Sequence, residues 1–232
     1  MSAFLKHQPC PRCGSKDNLG EYEDHFWCFG CKYYKLKNDT KSIRQRLNKT
    51  NNTDKGVDNM PQNFGEIPVN AMKWLLSYGI SKEDIEEYNI QWDVKNEFLV
   101  LLQNAKYFQA RTFDKLRPKY LSKGQKLLTI YGTGDKLVIV EDILSAMRIT
   151  RTRSHHCALP LLGSSLPYEW ENEIVKKNFK EVIIWLDRDK ASNALRIKRK
   201  FKQRGVDSRV IVSDNDPKEY SKGEILEWLK SK

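Results

Sequence analysis

Acidic side chains follow three short apolar segments in the second half of the chain. KLVIV leads into Glu141, EVIIWL into Asp187 and Asp189, and SRVIV into Asp214 and Asp216. Carboxylates from separate segments repel one another where they gather, unless a cation lies between them. Hard divalent ions such as Mg²⁺ prefer oxygen ligands. The pattern therefore predicts a divalent metal site suited to phosphoryl chemistry.

Four of the five cysteines form two close pairs, Cys10-Pro-Arg-Cys13 and Cys28-Phe-Gly-Cys31, with 14 residues between the pairs. Each Cys-x-x-Cys wraps a turn around an ion, and two such turns complete a tetrahedron, so we predict a zinc ribbon with one structural Zn²⁺. A redox role fits less well, because one pair would be enough and neither precedes a thioredoxin-like βαβ unit.

The acidic residues need a scaffold that brings distant segments together. The three apolar segments have the length and β-branched content of buried strands, and the stretches between them have helical spacing. This βαβαβ pattern predicts an α/β body with a mostly parallel sheet flanked by helices. Its crevice lies at the carboxyl ends of the strands, where the acids would gather. Asp187 and Asp189 are two residues apart, so extended backbone would direct both to one side.

The rest of the chain supplies further elements. VNAMKWLLSYG predicts a helix that ends at Gly79, and Ser81 is placed to cap the next helix. EFLVLL and KYFQAR predict a hairpin around Asn104-Ala105. Residues 38–66 are rich in Asn, Asp, Thr and Lys, which predicts a flexible linker with a short basic helix around Ser42–Leu47.

Charge and hydropathy indicate the class of partner. The formal charge is +11, from 41 Lys and Arg against 30 Asp and Glu. A polyanion such as nucleic acid is the partner that this charge favours. No apolar run approaches the ~18 residues of a membrane span, and no signal peptide is present, so we expect a cytoplasmic protein without membrane association. A basic segment has cations suited to phosphates: Arg111, Lys115, Arg117, Lys119, Lys123 and Lys126.

Five motifs occur in a fixed order along the chain: CPRC…CFGC, RPKYLS, IVEDILSA, WLDRDKA and DPKEYS. This ordered set resembles the bacterial-type DNA primases built on a Toprim fold, in the branch of small phage primases and phage primase–helicases. The resemblance implies a Toprim-type catalytic body tethered to the zinc ribbon. It also implies a DNA-directed RNA polymerase that makes short RNA primers from ribonucleoside triphosphates on single-stranded DNA, in the bacterial host cytoplasm if the protein is phage-encoded.

The resemblance assigns roles to the acidic residues. Glu141 matches the Toprim glutamate, a metal ligand or general acid–base, and Asp187 and Asp189 match the metal-binding pair. Asp216 matches a further acidic position that ligates metal. The expected cofactors are one structural Zn²⁺ and two catalytic Mg²⁺ or Mn²⁺ ions. One departure from the family stands at Ser145, where the family often has an aspartate.

Other residues match binding positions of the same family. Lys119 matches the basic motif that contacts nucleotide and template, with Arg111 and Arg117 nearby. His25 matches the ribbon position that reads the template, assisted by Glu23. Most of the ribbon aromatics are expected to form its core rather than to stack on bases: Phe26, Trp27, Phe29, Tyr33 and Tyr34.

The predicted domains are the ribbon at 1–37, the linker at 38–66, a basic subdomain at 67–135 and the Toprim domain at 136–232. No Walker loop is present, so the expected replicative helicase would be a separate partner. Two alternatives stay open at this point. A Toprim nuclease or recombination mediator could use the same acids, and a non-catalytic adaptor could bind single-stranded DNA with structural metals alone.

Overall fold

The computed structural model describes residues 2–37, 60–163 and 165–230. The helix predicted around Ser42–Leu47 and most of the predicted linker lie outside these residues. Within the described part of the chain, every α-helix is too short or too polar to cross a membrane.

The chain forms two compact units, and each is built from two segments of sequence. The first unit comprises Met1–Pro68 and Ile90–Gln125, and the second comprises Val69–Asn89 and Lys126–Lys232. The domain boundaries given above from the sequence stay a prediction.

The first unit contains a small antiparallel sheet that carries the cysteines. Its strands lie in chain order, and they are β1 Phe4–Gln8, β2 Leu19–Tyr22, β3 His25–Cys28 and β4 Tyr34–Leu36. Cys10, Leu19 and Cys28 form the buried centre, against which Phe26 and Tyr33 pack. Side chains alternate along a strand, so His25 and Trp27 lie on the opposite face from Phe26 and Cys28.

A second sheet in the first unit is also antiparallel with strands in chain order: β5 Phe64–Gly65, β6 Gln91–Asp93, β7 Phe98–Asn104, β8 Tyr107–Thr112 and β9 Tyr120–Gly124. The predicted hairpin is present as β7–β8. Asn104 pairs with Tyr107, so the two-residue turn falls one residue later than predicted, at Ala105-Lys106. Gly124 has φ +93°, and a Cβ there would lie 1.9 Å from the Lys106 carbonyl oxygen, so glycine is required.

The second unit is organised around a four-stranded sheet in which all strands are parallel. The strands are β10 Lys136–Val140, β11 His156–Pro160, β12 Glu181–Ile184 and β13 Ser208–Val210. Their order is β11-β10-β12-β13, which places β10 and β12 side by side at the centre. The predicted α/β body with a mostly parallel sheet is confirmed.

The described residues of the second unit include six α-helices: α1 Val69–Ser77, α2 Lys82–Glu87, α3 Ile143–Thr150, α4 Tyr168–Lys176, α5 Ala191–Gln203 and α6 Lys222–Lys230. The predicted caps are present, because the Asp84 amide donates to the Ser81 hydroxyl and Gly79 has φ +67°. The buried stripe of α5 consists of Ala194, Ile197 and Phe201.

Both faces of the parallel sheet are covered. Leu137 and Ile139 of β10 share one core cluster with residues of α4 and α5, whereas α3 packs against β10 and β11. Val138 and Val140, which point the other way, are fully buried as well. Strands buried on both faces read as continuous apolar runs, which explains the three apolar segments of the sequence.

Candidate active site

Glu141 and Asp187 meet because their strands are neighbours in the sheet. Glu141 follows β10 directly, and Asp187 follows β12 after two further residues. The Trp185 amide donates to the Ile139 carbonyl at 2.8 Å, which continues the pairing of the two segments beyond β12. Both carboxylates therefore stand at the carboxyl edge of the sheet, as the strand pattern predicts.

The two carboxylates influence each other's protonation. Burial, the charge of Glu141 and a side-chain hydrogen bond with Asp216 together raise the pKa of Asp187 to about 8. Burial also raises the pKa of Glu141, and the charges of Asp189, Asp142 and Asp216 act in the same direction, against Lys190. Carboxylates held this closely favour protons or cations between them.

Asp216 reaches the cluster from the loop after β13. It caps the 3-10 turn Pro217–Glu219, and its own amide donates to the Glu219 carboxylate at 3.2 Å. The Trp185 indole nitrogen donates to Ser213 at 2.6 Å, and the Ser213 hydroxyl donates to the Asn215 carbonyl. These hydrogen bonds tie the loop to the segment that carries Asp187.

Lys218 and Asp142 are members of the cluster that sequence reasoning missed. The Lys218 ammonium donates to Asp142 at 2.9 Å and to Asp216 at 2.5 Å. Although its burial acts in the opposite direction, the charge of Asp142 and the hydrogen bonds to both acids raise the pKa of Lys218. The sequence showed a lysine two residues after Asp216. The 3-10 turn Pro217–Glu219 is what directs its ammonium back toward Asp216 and Asp142.

Ser145 belongs to the cap of α3. Asp142 is the N-cap, and its carboxylate accepts hydrogen bonds from both the amide and the hydroxyl of Ser145, each at 3.0 Å. The helix therefore begins after Asp142, and Glu141 lies before the cap. The hydrogen bonds of this cap orient the Asp142 carboxylate, which in turn binds Lys218. The Ser145 side chain therefore influences the cluster through Asp142.

Asp189 does not lie where extended backbone would have put it. Asp187 is the N-cap residue of a 3-10 turn, Arg188–Lys190, so the extended backbone on which a shared direction was predicted is not present. The Asp189 side chain is 64% exposed and pairs with Lys190. Its assignment as a metal ligand stays a prediction.

The donor set of the cluster suits a divalent cation. Glu141 Oε2 is buried and has no hydrogen-bond partner, an arrangement that a bound cation would satisfy. The carboxylates are more widely spaced than the thiols, since in the described part of the chain only the four cysteines bring three or more ligand atoms within 4.8 Å of one another.

The four cysteines form a compact thiol cluster. Cys10 and Cys31 Sγ atoms are 3.7 Å apart, as are those of Cys13 and Cys28. Tetrahedral coordination at ~2.3 Å per Zn–S bond places the sulfurs at about this separation. Burial, followed by hydrogen bonds within the cluster, raises the pKa of the Cys28 thiol to about 12, so a cation would be needed to hold it as a thiolate. The residues fit one Zn²⁺.

His25 lies on the face of the ribbon opposite the thiol cluster. Its ring stacks on Tyr22 with centroids 4.5 Å apart and lies 5.2 Å from the Tyr34 ring, and its Nδ1 is 2.6 Å from Asp24. The Glu23 carboxylate instead accepts a hydrogen bond from the Ala3 amide at 3.3 Å.

The ribbon aromatics divide between core and surface. Phe26 and Tyr33 pack on the buried centre, as expected for most of the set. Phe29 and Tyr34 are exposed, and Trp27 lies on the His25 side, edge-on to Tyr34. The expectation that most of these rings form the core is therefore met by only two of them.

The predicted basic residues lie on and beside β8 and β9 in the first unit. Arg111 donates to the Lys119 carbonyl at 3.3 Å and lies over the Tyr120 ring. Arg117 donates to the Asn96 carbonyl at 2.6 Å. The Lys119 side chain is 66% exposed, with its ammonium 3.8 Å from Asp17. The two arginines hold the local backbone, whereas Lys119 faces solvent.

Lys126 is a further cation near the acidic edge of the second unit. Its ammonium donates to the Leu162 carbonyl, and the Leu162 amide donates to the Glu141 carbonyl at 2.9 Å. Lys126 belongs to the basic segment of the sequence. It is linked to Glu141 only through Leu162, in the loop after β11, which the sequence pattern did not predict.

A cavity of about 730 Å³ in the second unit is lined by none of Glu141, Asp187 and Asp216. Its lining includes the Asp84–Arg151 ion pair and His156, which begins β11. Ligands of open α/β sheets bind at the carboxyl ends of the strands, and His156 marks the other end. The acidic cluster is therefore the stronger candidate for chemistry.

No model of a known protein family matches the chain. In sequence it is 25% identical over 213 residues to the DNA helicase/primase of Enterobacteria phage T3, a match that covers 82% of this chain and 36% of the phage protein. The chain thus spans about a third of the length of that relative. This match supports the resemblance to primases that the motifs indicate.

Two solved structures are similar in fold. The zinc-binding and RNA polymerase domains of the Aquifex aeolicus primase match with a TM-score of 0.53 and 15% identity, over 96% of this chain and 77% of that one. The catalytic domain of the DnaG primase bound to single-stranded DNA matches with a TM-score of 0.52 and 16% identity, over 70% and 74%. The chain has the primase fold, and the predicted fold class is confirmed.

Proposed function

We propose that this protein is a DNA primase that joins ribonucleotides into short RNA primers on a single-stranded DNA template. One observation carries the proposal: Glu141 and Asp187 meet at the ends of adjacent parallel strands, with a buried Glu141 oxygen that lacks a partner. The fold shared with primases and the similarity to the phage helicase/primase support the same reaction.

In this proposal Glu141, Asp187 and Asp216 hold the catalytic divalent cation. A bound Mg²⁺ or Mn²⁺ would lower the pKa of an attacking 3′-hydroxyl and offset charge on the triphosphate. Asp189, exposed beside this cluster, is the acid that can turn toward an ion or a nucleotide without first leaving a buried position.

Lys119 is proposed to contact the phosphates of nucleotide or template. Its ammonium is exposed and keeps only a long contact with Asp17, so a phosphate can compete for it. Arg111 and Arg117 are proposed to shape this surface, because their guanidinium groups already bind backbone carbonyls on either side of Pro118.

The ribbon is proposed to read the template through His25. The ring stacks on Tyr22 beside Tyr34, an aromatic surface on which unpaired bases can stack. Glu23 is tied to the Ala3 amide, so its assistance to His25 requires that this bond be exchanged. A replicative helicase acts on the same DNA in this proposal, in a bacterial cytoplasm, because the name of the phage relative couples the two activities.

The test is an incubation of the zinc-loaded protein with single-stranded DNA, Mg²⁺ and labelled ribonucleotides. Short RNA that depends on the template supports the proposal. Cleaved DNA would point to a Toprim nuclease, and retention of DNA without any product would point to a binding adaptor. Either of those two results contradicts primase activity. If cleaved DNA is seen, Asp187→Ala should lower its amount, which would tie the cleavage to the acidic cluster.

A further inference from the structure

An ammonium group occupies one end of the acidic cluster. Lys218 lies between Asp142 and Asp216, at 2.9 and 2.5 Å, and its side chain is only 14% exposed. A bound ion bridges carboxylates from different segments in the same manner. Here the bridge joins the cap of α3 to the loop after β13, residues that are 76 positions apart in sequence.

The groups form a row along the sheet edge. Asp142 contacts Lys218, Lys218 contacts Asp216, Asp216 contacts Asp187, and Asp187 interacts with Glu141. Lys218 therefore satisfies one end of the row, whereas Glu141 Oε2 at the other end is buried without a partner. The oxygen without a partner lies at the Glu141 end, which Lys190 influences by its charge while it pairs with Asp189.

The charge of the site agrees with this division. Metal binding requires ionised carboxylates, and with all five ionised (Glu141, Asp142, Asp187, Asp189 and Asp216) the two ammonium groups, Lys190 and Lys218, leave three negative charges. One divalent cation leaves a single negative charge, whereas two would reverse the sign of the cluster. Binding a second ion there without nucleotide is electrostatically unfavourable.

We propose that Lys218 takes the place of one of two metal ions, so that the acidic cluster binds a single divalent cation between Glu141 and Asp187. This inference rests on the proposed function, which supplies the reason for a metal, and it replaces the two ions expected from the sequence. Lys218 acts as a positioning residue: its ammonium holds Asp216 toward Asp187 and Asp142 away from the ion.

The experiment counts Mn²⁺ by electron paramagnetic resonance in the zinc-loaded protein without nucleotide, where zinc occupies the cysteines. Asp187→Ala supplies the background from ions bound elsewhere. The expected count above this background is about one for the native chain and about two for Lys218→Ala, since two carboxylates lose their internal cation. Lys218→Arg, which keeps the charge, should return the count to about one.

Lys190→Ala is the matched control, because it removes the other ammonium, which pairs with the exposed Asp189. Its count should stay at about one. A second ion in this variant would mean that charge alone sets the number, and would overturn the role of Lys218. Two ions in the native chain would overturn the inference even if Lys218→Ala failed to fold. Primer synthesis measured on the same native sample separates this failure from failure of the proposed function.

Discussion

The thiol cluster and the acidic cluster are built in opposite ways. Four thiols come together within 4.8 Å from two turns of one short segment. The acidic cluster gathers side chains from the ends of β10 and β12 and from the loop after β13. The first is a product of local turn geometry, whereas the second exists only once the parallel sheet has formed.

The clusters also differ in the charges of their own side chains. The Sγ atoms of the cysteines contact one another. Lys218 and Lys190 neutralise part of the acidic cluster from within. We therefore expect the ribbon to need its ion in order to fold, and the second unit to fold without one.

The largest effect is expected for Asp187→Ala. Loss of this ligand should lower primer synthesis at least ~10³-fold, a change on the scale of removing a preorganised electrostatic group. The fold should survive, because burial and neighbouring acids already raise the pKa of Asp187 and its charge opposes folding. Primer yield and thermal unfolding would be measured together.

Asp214→Asn is the control for that variant. Asp214 lies in the same loop as Asp216, but its side chain is 81% exposed and pairs only with the exposed Arg188. Normal primer synthesis is expected. If Asp214→Asn lowered primer synthesis as much as Asp187→Ala, the reaction would depend on the total negative charge at this edge of the sheet and not on metal ligation by Asp187.

Cys28→Ser should abolish zinc binding and template-directed starts. Cys28 is fully buried at the centre of the ribbon, and structural zinc contributes ~10–16 kcal/mol in isolated zinc-finger peptides. Zinc content should fall from about one per chain to none, and residues 2–37 should become sensitive to protease. Cys157→Ala is the control, since Cys157 is a buried residue of β11 in the parallel sheet, and its substitution should leave zinc content unchanged. Extension of a supplied diribonucleotide that vanished with Cys28→Ser would show that the acidic unit depends on the ribbon after all.

The same contrast explains what could be predicted from the sequence. The spacing of Cys10, Cys13, Cys28 and Cys31 contains the whole thiol cluster, because tight turns are encoded locally. The meeting of Glu141 and Asp187 was also predictable, since apolar strands with helical connections imply a parallel sheet whose carboxyl ends share one edge.

Side-chain direction at the sheet edge was not predictable in this way. Asp189 lies in a 3-10 turn that starts at Asp187, with its side chain exposed, whereas Lys218 points inward from a turn that starts at Asp216. Asp142 belongs to the cluster because it is the N-cap of α3. Apolar periodicity does not locate a helix start to within one residue, so it could not distinguish Asp142 from Glu141 as the cap. Boundaries and caps decide such directions, and they are the features that apolar periodicity resolves least.

Lys119→Ala should weaken binding of nucleotide or single-stranded DNA by about tenfold and reduce the salt dependence of DNA binding by about one phosphate contact. Acids alone repel phosphates, so an exposed cation such as Lys119 is needed for binding. Lys95→Ala, at another exposed lysine of the first unit, should change neither quantity. Both quantities would be measured by titration at several salt concentrations. Equal losses of affinity in the two variants would mean that Lys119 contributes only through the general positive charge of the unit.

Ser145→Ala should have the smallest effect. It removes one hydroxyl hydrogen bond to Asp142 but keeps the bond from the Ser145 amide, so we expect a loss of about 1 kcal/mol in the free energy of unfolding. Ser221→Ala removes a comparable cap, since the Glu224 amide donates to its hydroxyl at 3.3 Å, and should cost about as much in the free energy of unfolding.

The two variants should differ in primer synthesis, because only Ser145 orients Asp142, the acid that binds Lys218. A fall of several-fold in rate for Ser145→Ala, with Ser221→Ala unchanged at matched stability, would link the α3 cap to the acidic cluster. Equal rates in the two variants would reduce Ser145 to an ordinary helix cap.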